Sequence, residues 1–231
     1  AAAALADFCD RVAACLGRPL DRTALERAAA EREAVRVRLS ALLDGLGSTV
    51  PAEDAYSAVI ASQVMAPAAF LEAAAPGPAA RVPAEGVPVI LSGSHVASPD
   101  LIAGVEATGA RVVADDTWTG MRSAGRRVAR DGDLLAAIGR SLVDPLLHGP
   151  VRLEIPEARP GRVATLAKAR GAKAAILLHY KFCDPHAFEA PGVLAALRDA
   201  DVPGIVLELD RDEGLTERDR TRLQTLVEAV S

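Results

Sequence analysis

Ala174-Ala175-Ile176-Leu177-Leu178 is an unbroken apolar run that gives way, after His179 and Tyr180, to Lys181-Phe182-Cys183-Asp184-Pro185-His186. An apolar run bounded by turn chemistry and flanked by helical periodicity reads as a central strand of a parallel sheet, buried on both faces. The carboxyl end of such a strand is where open α/β sheets place ligands. The hexamer gathers an amine, a thiol, a carboxylate and an imidazole at that point, with a proline to stop the strand. Core packing asks for none of these groups.

Three further strands flank this one in the sequence. Val87-Pro88-Val89-Ile90-Leu91 ends in Ser92-Gly93-Ser94, and Arg111-Val112-Val113-Ala114 ends in Asp115-Asp116. Gly204-Ile205-Val206-Leu207-Glu208-Leu209-Asp210 is the fourth. Helical patterns separate them. Ser98-Pro99-Asp100 supplies an N-cap, an N1 proline and a first-turn acid for a helix that Gly109 stops. An interrupted pattern from Ala124 to Leu147 has breaks at Gly132 and Pro145, and a helix runs from Arg162 to Arg170. His186 to Ala200 and Glu217 to Val230 complete the set. Alternating short strands and helices imply right-handed crossovers and a parallel sheet. The fold class is therefore α/β: a Rossmann-like four-stranded parallel sheet flanked by helices, over residues 86–231.

Residues 1–80 read as a helical lead-in. One helix spans Ala2 to Leu16 and stops at Gly17 and Pro19. Asp21 caps a second, whose Leu25, Ala28, Val35, Leu39 and Leu42 fall on one stripe. Pro51 opens a third through Met65, and Pro67 restarts a short one. Ala75-Pro76-Gly77-Pro78 through Pro83 is a loop or boundary.

A chain of 231 residues, half of them hydrophobic, can bury one good core. A net charge of -5 argues against nucleic acid, which wants a basic surface, and 3% aromatics leave few platforms for bases. No apolar run approaches the roughly 20 residues that cross a bilayer, and Ala1-Ala2-Ala3-Ala4-Leu5 lacks the basic region of a signal peptide. The expectation is a soluble cytoplasmic protein with no membrane and no nucleic-acid partner. Cys9, Cys15 and Cys183 show no Cys-x-x-Cys spacing, so neither a zinc ribbon nor a disulfide scaffold is indicated. Cys9 and Cys15 lie roughly 120° apart around one helix and cannot share a metal from one face.

In a parallel sheet every strand's carboxyl end emerges on one edge. Ser92-Gly93-Ser94, Asp115-Asp116-Thr117, Cys183-Asp184 and Asp210 thus converge, while the opposite edge offers only Pro88, Lys173 and Pro203. Gly93 lets backbone N–H groups approach an anion or a carbonyl. Cys183 reads as a nucleophile, a metal ligand or a packed thiol; His186 as a base, a donor to a cluster sulfur or a cap. His179 reads as a satisfied core histidine, and Lys181 as the partner of Asp184 or Asp116. No Gly-x-Ser-x-Gly elbow supports a hydrolase reading of Ser94 and His95.

Several of these segments together resemble the 2-hydroxyacyl-CoA dehydratase and benzoyl-CoA reductase subunit family. They are Leu91 to Ser94, Val113 to Thr117 with Gly120 and Arg122, Lys181 to His186 with Phe188, and Leu207 to Asp210. Gly17 to Leu20 and Thr221 to Leu223 also fit. The resemblance implies a lyase that dehydrates an (R)-2-hydroxyacyl-CoA by a radical route, with a 4Fe-4S cluster, a paralogous subunit as heterodimer partner and an ATP-dependent activator. It implies acyl-CoA contacts from Ser92, Gly93 and Ser94, with Asp115 and Asp116 beside them. It makes Cys183 an iron ligand with Lys181, Asp184 and His186 around it. Only the third of the family's three cysteine positions maps here. Either the chain is the carboxyl-terminal part of a longer polypeptide, or a partner supplies the other ligands, or it is a clusterless relative. Neighbouring readings are a benzoyl-CoA reductase-type subunit and a clusterless acyl-CoA-binding or structural subunit.

Overall fold

A computed structural model describes residues 2–74, 85–129, 132–143, 158–210 and 214–231. The expected loop at Ala75–Pro83 and the break at Pro145 lie outside the described residues. Four helices lead: α1 (Ala2–Leu16), α2 (Arg22–Asp44), α3 (Ala52–Val64) and α4 (Pro67–Ala73). Then come β1 (Val87–Gly93), α5 (Pro99–Glu106), β2 (Ala110–Thr117), α6 (Met121–Ala124) and α7 (Leu134–Leu142). The chain continues with α8 (Ala158–Ala169), β3 (Ala174–Tyr180), α9 (Asp184–Asp199), β4 (Gly204–Leu209) and α10 (Glu217–Val230).

Local chemistry starts the helices where the sequence signals it. The Asp21 carboxylate accepts from the Ala24 N–H at 3.0 Å to cap α2, and Ser98 accepts from the Asp100 N–H at 3.1 Å to cap α5. Thr216 and Asp219 form a reciprocal capping box at the start of α10.

The sheet is parallel throughout, in the order β2-β1-β3-β4. Side chains alternate between its faces. Val89, Leu91, Val112 and Ile176 join one apolar cluster with residues from α2, α3, α4, α5 and α10. Ile90, Ala114, Ala175 and Leu177 join a second with α8 and α9. The lead-in helices thus share a core with one face of the sheet. The chain leaves β1 toward β2 on one side and later returns to lay β3 on the other. This reversal puts the topological switch point between β1 and β3, where open sheets form a ligand crevice.

Three strands run further than the sequence pattern suggests. Ser92 and Gly93 belong to β1, Asp115 to Thr117 to β2, and His179 and Tyr180 to β3. Polar residues continue the ladder because neighbouring strands pair with them: Ser92 opposes Asp116 and Leu177, and Gly93 opposes Thr117 and Leu178. An irregularity at Val89/Ile90 shifts the β1–β2 register by one residue, since Val89 pairs with Val112 but Ile90 with Ala114. Without that extra residue Ser92 would face Asp115.

Gly93 closes the β1–β3 approach. Its φ is +102, and a Cβ there would run into the Leu178 carbonyl oxygen. Both the dihedral and the contact exclude a side chain. Replacing it, Gly93→Ala, should cost on the order of 3 kcal/mol, from a strained backbone plus displacement of β3. Urea unfolding of the variant checks this against wild type.

Candidate functional site

The adjacent aspartates at the end of β2 point to opposite faces and do different work. Asp115 turns toward the lead-in helices. Its carboxylate accepts from the Thr117 N–H at 2.9 Å, the Thr117 hydroxyl at 2.8 Å and the Met121 N–H at 3.3 Å, and so folds the turn that starts α6. Gly120 leaves room for that carboxylate, since a Cβ there would overlap it. Burial drives the Asp115 carboxyl up to about 7, against the opposing pull of the Thr117 donors. Tyr56 on α3 is buried beside it, and burial followed by the Asp115 charge raises the phenol.

Asp116 turns toward α8 and α9 and has no solvent exposure. Its Oδ2 accepts from the Ser92 hydroxyl at 3.0 Å and from Arg159 Nη2 at 2.7 Å, with Arg122 Nε at 3.9 Å. Arg159 Nη2 also reaches the Ser92 hydroxyl at 3.2 Å, and its Nη1 makes a close ion pair with Glu189 on α9. Arg122 is wholly buried and donates from Nη2 to the Gly93 carbonyl. Burial and the nearby Arg159 pull its guanidinium down to about 10, so it stays charged at neutral pH. His186 Nδ1 lies 3.6 Å from Glu189 Oε2. Burial alone would raise the Glu189 carboxyl, but His186, Arg159 and Arg122 together hold it below the usual range. Two buried cations thus meet two carboxylates under the ends of β1 and β2.

A small cleft opens above them at the switch point, lined by Ser92, Gly93, Arg159, His179, His186 and Glu189 among others. His95 follows β1 and stacks on Tyr180 at 4.5 Å and 11°. Burial, then the neighbouring His186, lowers its imidazole below the usual value. Three of the chain's four histidines, His95, His179 and His186, therefore gather at one end of β1 and β3.

The sequence-expected residues divide three ways. Ser92, Gly93, Asp116 and His186 come together around the cleft, with Ser94 buried one residue further on. The Ser94 N–H is not free for an anion, because it donates to the Leu178 carbonyl at 2.8 Å. Cys183, partly buried, takes the N-cap position of α9, which starts two residues earlier than His186. His179 Nε2 sits 3.3 Å from the Cys183 carbonyl, so this histidine is tied to the loop at the strand end. Lys181 departs from expectation: it pairs with Asp210 at 2.9 Å, not with Asp184 or Asp116. Both partners lie half-exposed on the rim, where strand ends β3 and β4 adjoin.

Arg159 and Glu189 were missed. The helix is expected from Arg162, yet α8 begins at Ala158, since proline is tolerated in a first turn. Glu189 meets Arg159 only because α9 packs on α8.

The donor set does not complete an iron–sulfur site. A cluster takes three or four thiolates, whereas Cys9 and Cys15 stand on α1, which packs on α7. Among the described residues no group of three or more His, Cys, Asp or Glu side chains is placed to hold a metal. Cys183 offers one free thiol.

The Asp115 carboxyl predicts an unusual pH response. Its folded value, about 7, exceeds the ordinary 3.8, so the protonated form is the one that stabilises the fold. That stability is complete below about pH 4 and disappears as pH rises through 7, up to about 4 kcal/mol at 1.4 kcal/mol per unit. Glu189 acts in the opposite sense, losing stability as pH falls through its lowered value. Asp115→Asn should flatten the decline between pH 4 and 7; denaturant melts of both proteins across that range check it.

The sequence matches the family described as HGD-D, 2-hydroxyglutaryl-CoA dehydratase, D-component, over residues 1–230. No curated protein matches it. Among the described residues no helix is long and apolar enough to cross a membrane. With the match spanning all but the last residue, and the parallel sheet in place beneath it, the chain belongs to the 2-hydroxyglutaryl-CoA dehydratase D-component family.

Proposed function

We propose that this chain is a cytoplasmic, acyl-CoA-binding subunit of a 2-hydroxyacyl-CoA dehydratase, a lyase acting on (R)-2-hydroxyacyl-CoA thioesters. The observation that carries this reading is the switch-point cleft: in a chain of this family, Ser92, Arg159, His186 and Glu189 line a cleft where an open sheet accepts ligands, and Cys183 caps the helix that carries His186. Ser92, Gly93 and Ser94 contact the thioester end, Asp116 forms the floor, and Asp115 fixes the neighbouring turn. Cys183 supplies one thiolate to a 4Fe-4S cluster whose other ligands lie outside the described residues, on a paralogous subunit or elsewhere in the polypeptide. Lys181, Asp184 and His186 surround that thiolate. An ATP-dependent activator delivers the electron for radical chemistry.

The solitary thiol favours a second reading, a clusterless subunit that binds the thioester or supports a catalytic paralogue. Iron content separates the two. In the anaerobically purified full assembly, Cys183→Ala should remove the cluster iron and its broad visible absorption. Unchanged iron per protomer would eliminate the ligand role of Cys183, and a wild-type assembly that purifies without iron would favour the clusterless reading.

A further inference from the structure

Two buried aspartates stand side by side at the end of β2, and they differ in countercharge. Asp116 pairs with Arg159 and lies within ion-pair reach of Arg122. Asp115 is just as deeply buried, yet among the described residues no cation forms an ion pair with it. Burial without a countercharge favours the neutral acid. Hydrogen bonds from Thr117 and Met121 favour the anion, and burial outweighs them. Tyr56 on α3 completes the surroundings. Its hydroxyl is fully buried without a hydrogen-bond partner, and after burial it is the Asp115 charge that does most to raise the phenol. A carboxyl that keeps its proton has an O–H to donate, and Tyr56 has an oxygen to accept it.

The other charges near Asp115 come from four elements. Asp116, on the same strand, repels a second negative charge, and Arg122 on α6 is drawn to both aspartates. Glu106 at the end of α5 bears on Tyr56. From α2, Ser40 reaches the Ala124 carbonyl, while Glu33 is held by Arg36 and Arg127. None of these supplies Asp115 with a cation of its own.

What Asp115 holds reaches the cleft. Its carboxyl ties Thr117 to Met121 across the turn after β2. That turn carries Trp118, whose N–H donates to the carbonyls of Gly93 and Ser94 at 3.2 and 3.1 Å. It leads into Arg122, which donates to the Gly93 carbonyl as well. Gly93 lines the cleft and makes the close approach of β1 to β3. We propose that Asp115 and Tyr56 form a proton-operated latch on the α6 turn. Protonated, Asp115 keeps the turn folded and Arg122 on the Gly93 carbonyl. Ionised, with its proton released to solvent, it is drawn toward water, the turn opens, and the β1 wall of the cleft loses that support. A local charge change that biases a two-state element is the usual form of a pH switch. The latch involves no ligand, so it stands or falls separately from the acyl-CoA and cluster readings.

Trp118 is the chain's single tryptophan and reports on the turn, since its ring centre lies 5.7 Å from the Arg122 guanidinium and 5.3 Å from that of Arg126. In the full chain without ligand, its fluorescence should move to longer wavelength in one step centred near pH 7. The step should spread over about two pH units, as the loss of one proton requires. Far-ultraviolet circular dichroism should stay constant across it, and a loss of helix signal in step with the fluorescence would mean unfolding and overturn the latch. Asp115→Asn, which cannot ionise, should hold the acid-form wavelength throughout. Histidine is the other side chain that titrates near neutrality. A step that survives in the folded Asn variant therefore belongs to the histidines of this edge and overturns the latch, as does the absence of any step in wild type. Should the Asn variant fail to fold, carbon-13 NMR of wild type labelled at aspartate decides. An aspartate carboxyl that titrates together with the Trp118 emission supports the latch, and no aspartate titrating above about pH 5 overturns it.

Discussion

The carboxylate of Asp116 is the constraint around which this sheet edge is built. A charge with no exposure to water carries a desolvation penalty of several kcal/mol, and only close partners offset it. Ser92 supplies a hydroxyl from the adjacent strand, Arg159 a cation from α8, and Arg122 a second cation from α6. Each partner comes from a different element, so one buried oxygen fixes the relative placement of two strands and two helices. Glu189 extends the arrangement to α9 by balancing Arg159. The second cation in turn holds the Gly93 carbonyl, which ties the same network to the closest approach of β1 and β3.

Much of this fold was legible because its signals are local. Asp21, Ser98 and Pro99 mark helix starts by satisfying free N–H groups, and apolar runs such as Ala174 to Leu178 mark strands buried on both faces. Where the strands end was less legible. Ser92, Asp116 and His179 carry loop-like side chains, and only their neighbours across the ladder show that they continue it. The gathering of Ser92, Gly93, Asp116 and His186 followed from topology alone, since a parallel sheet exports all its carboxyl ends to one edge. Arg159 did not follow. Its role depends on α8 lying across the end of β2, a long-range contact to which no spacing in the sequence points. Lys181 failed for a related reason: the β3–β4 pairing, not chain proximity, chooses Asp210 as its partner.

Family membership and site chemistry describe different parts of the same protein. The family match covers residues 1–230, and a small cleft lies at the switch point of the sheet. A thiol at the N-cap of α9, three clustered histidines and a charge-balanced floor are what this chain itself contributes. Fold alone would not have separated these from an ordinary Rossmann-like domain, because function on such sheets lives in the residues of the edge.

The register irregularity in β1 and β2 has an effect out of proportion to its size. Strand neighbours alternate faces, so a slip of one position exchanges every inward side chain for an outward one. With the extra residue at Val113, the serine hydroxyl meets the aspartate that reaches the arginines, while the other aspartate is released to shape the α6 turn. Two identical acids side by side in the chain acquire separate occupations from a single inserted peptide unit. Relatives that lacked the insertion would have to recruit their hydrogen-bond partners from the opposite side of the sheet, even with the same amino acids at every aligned position.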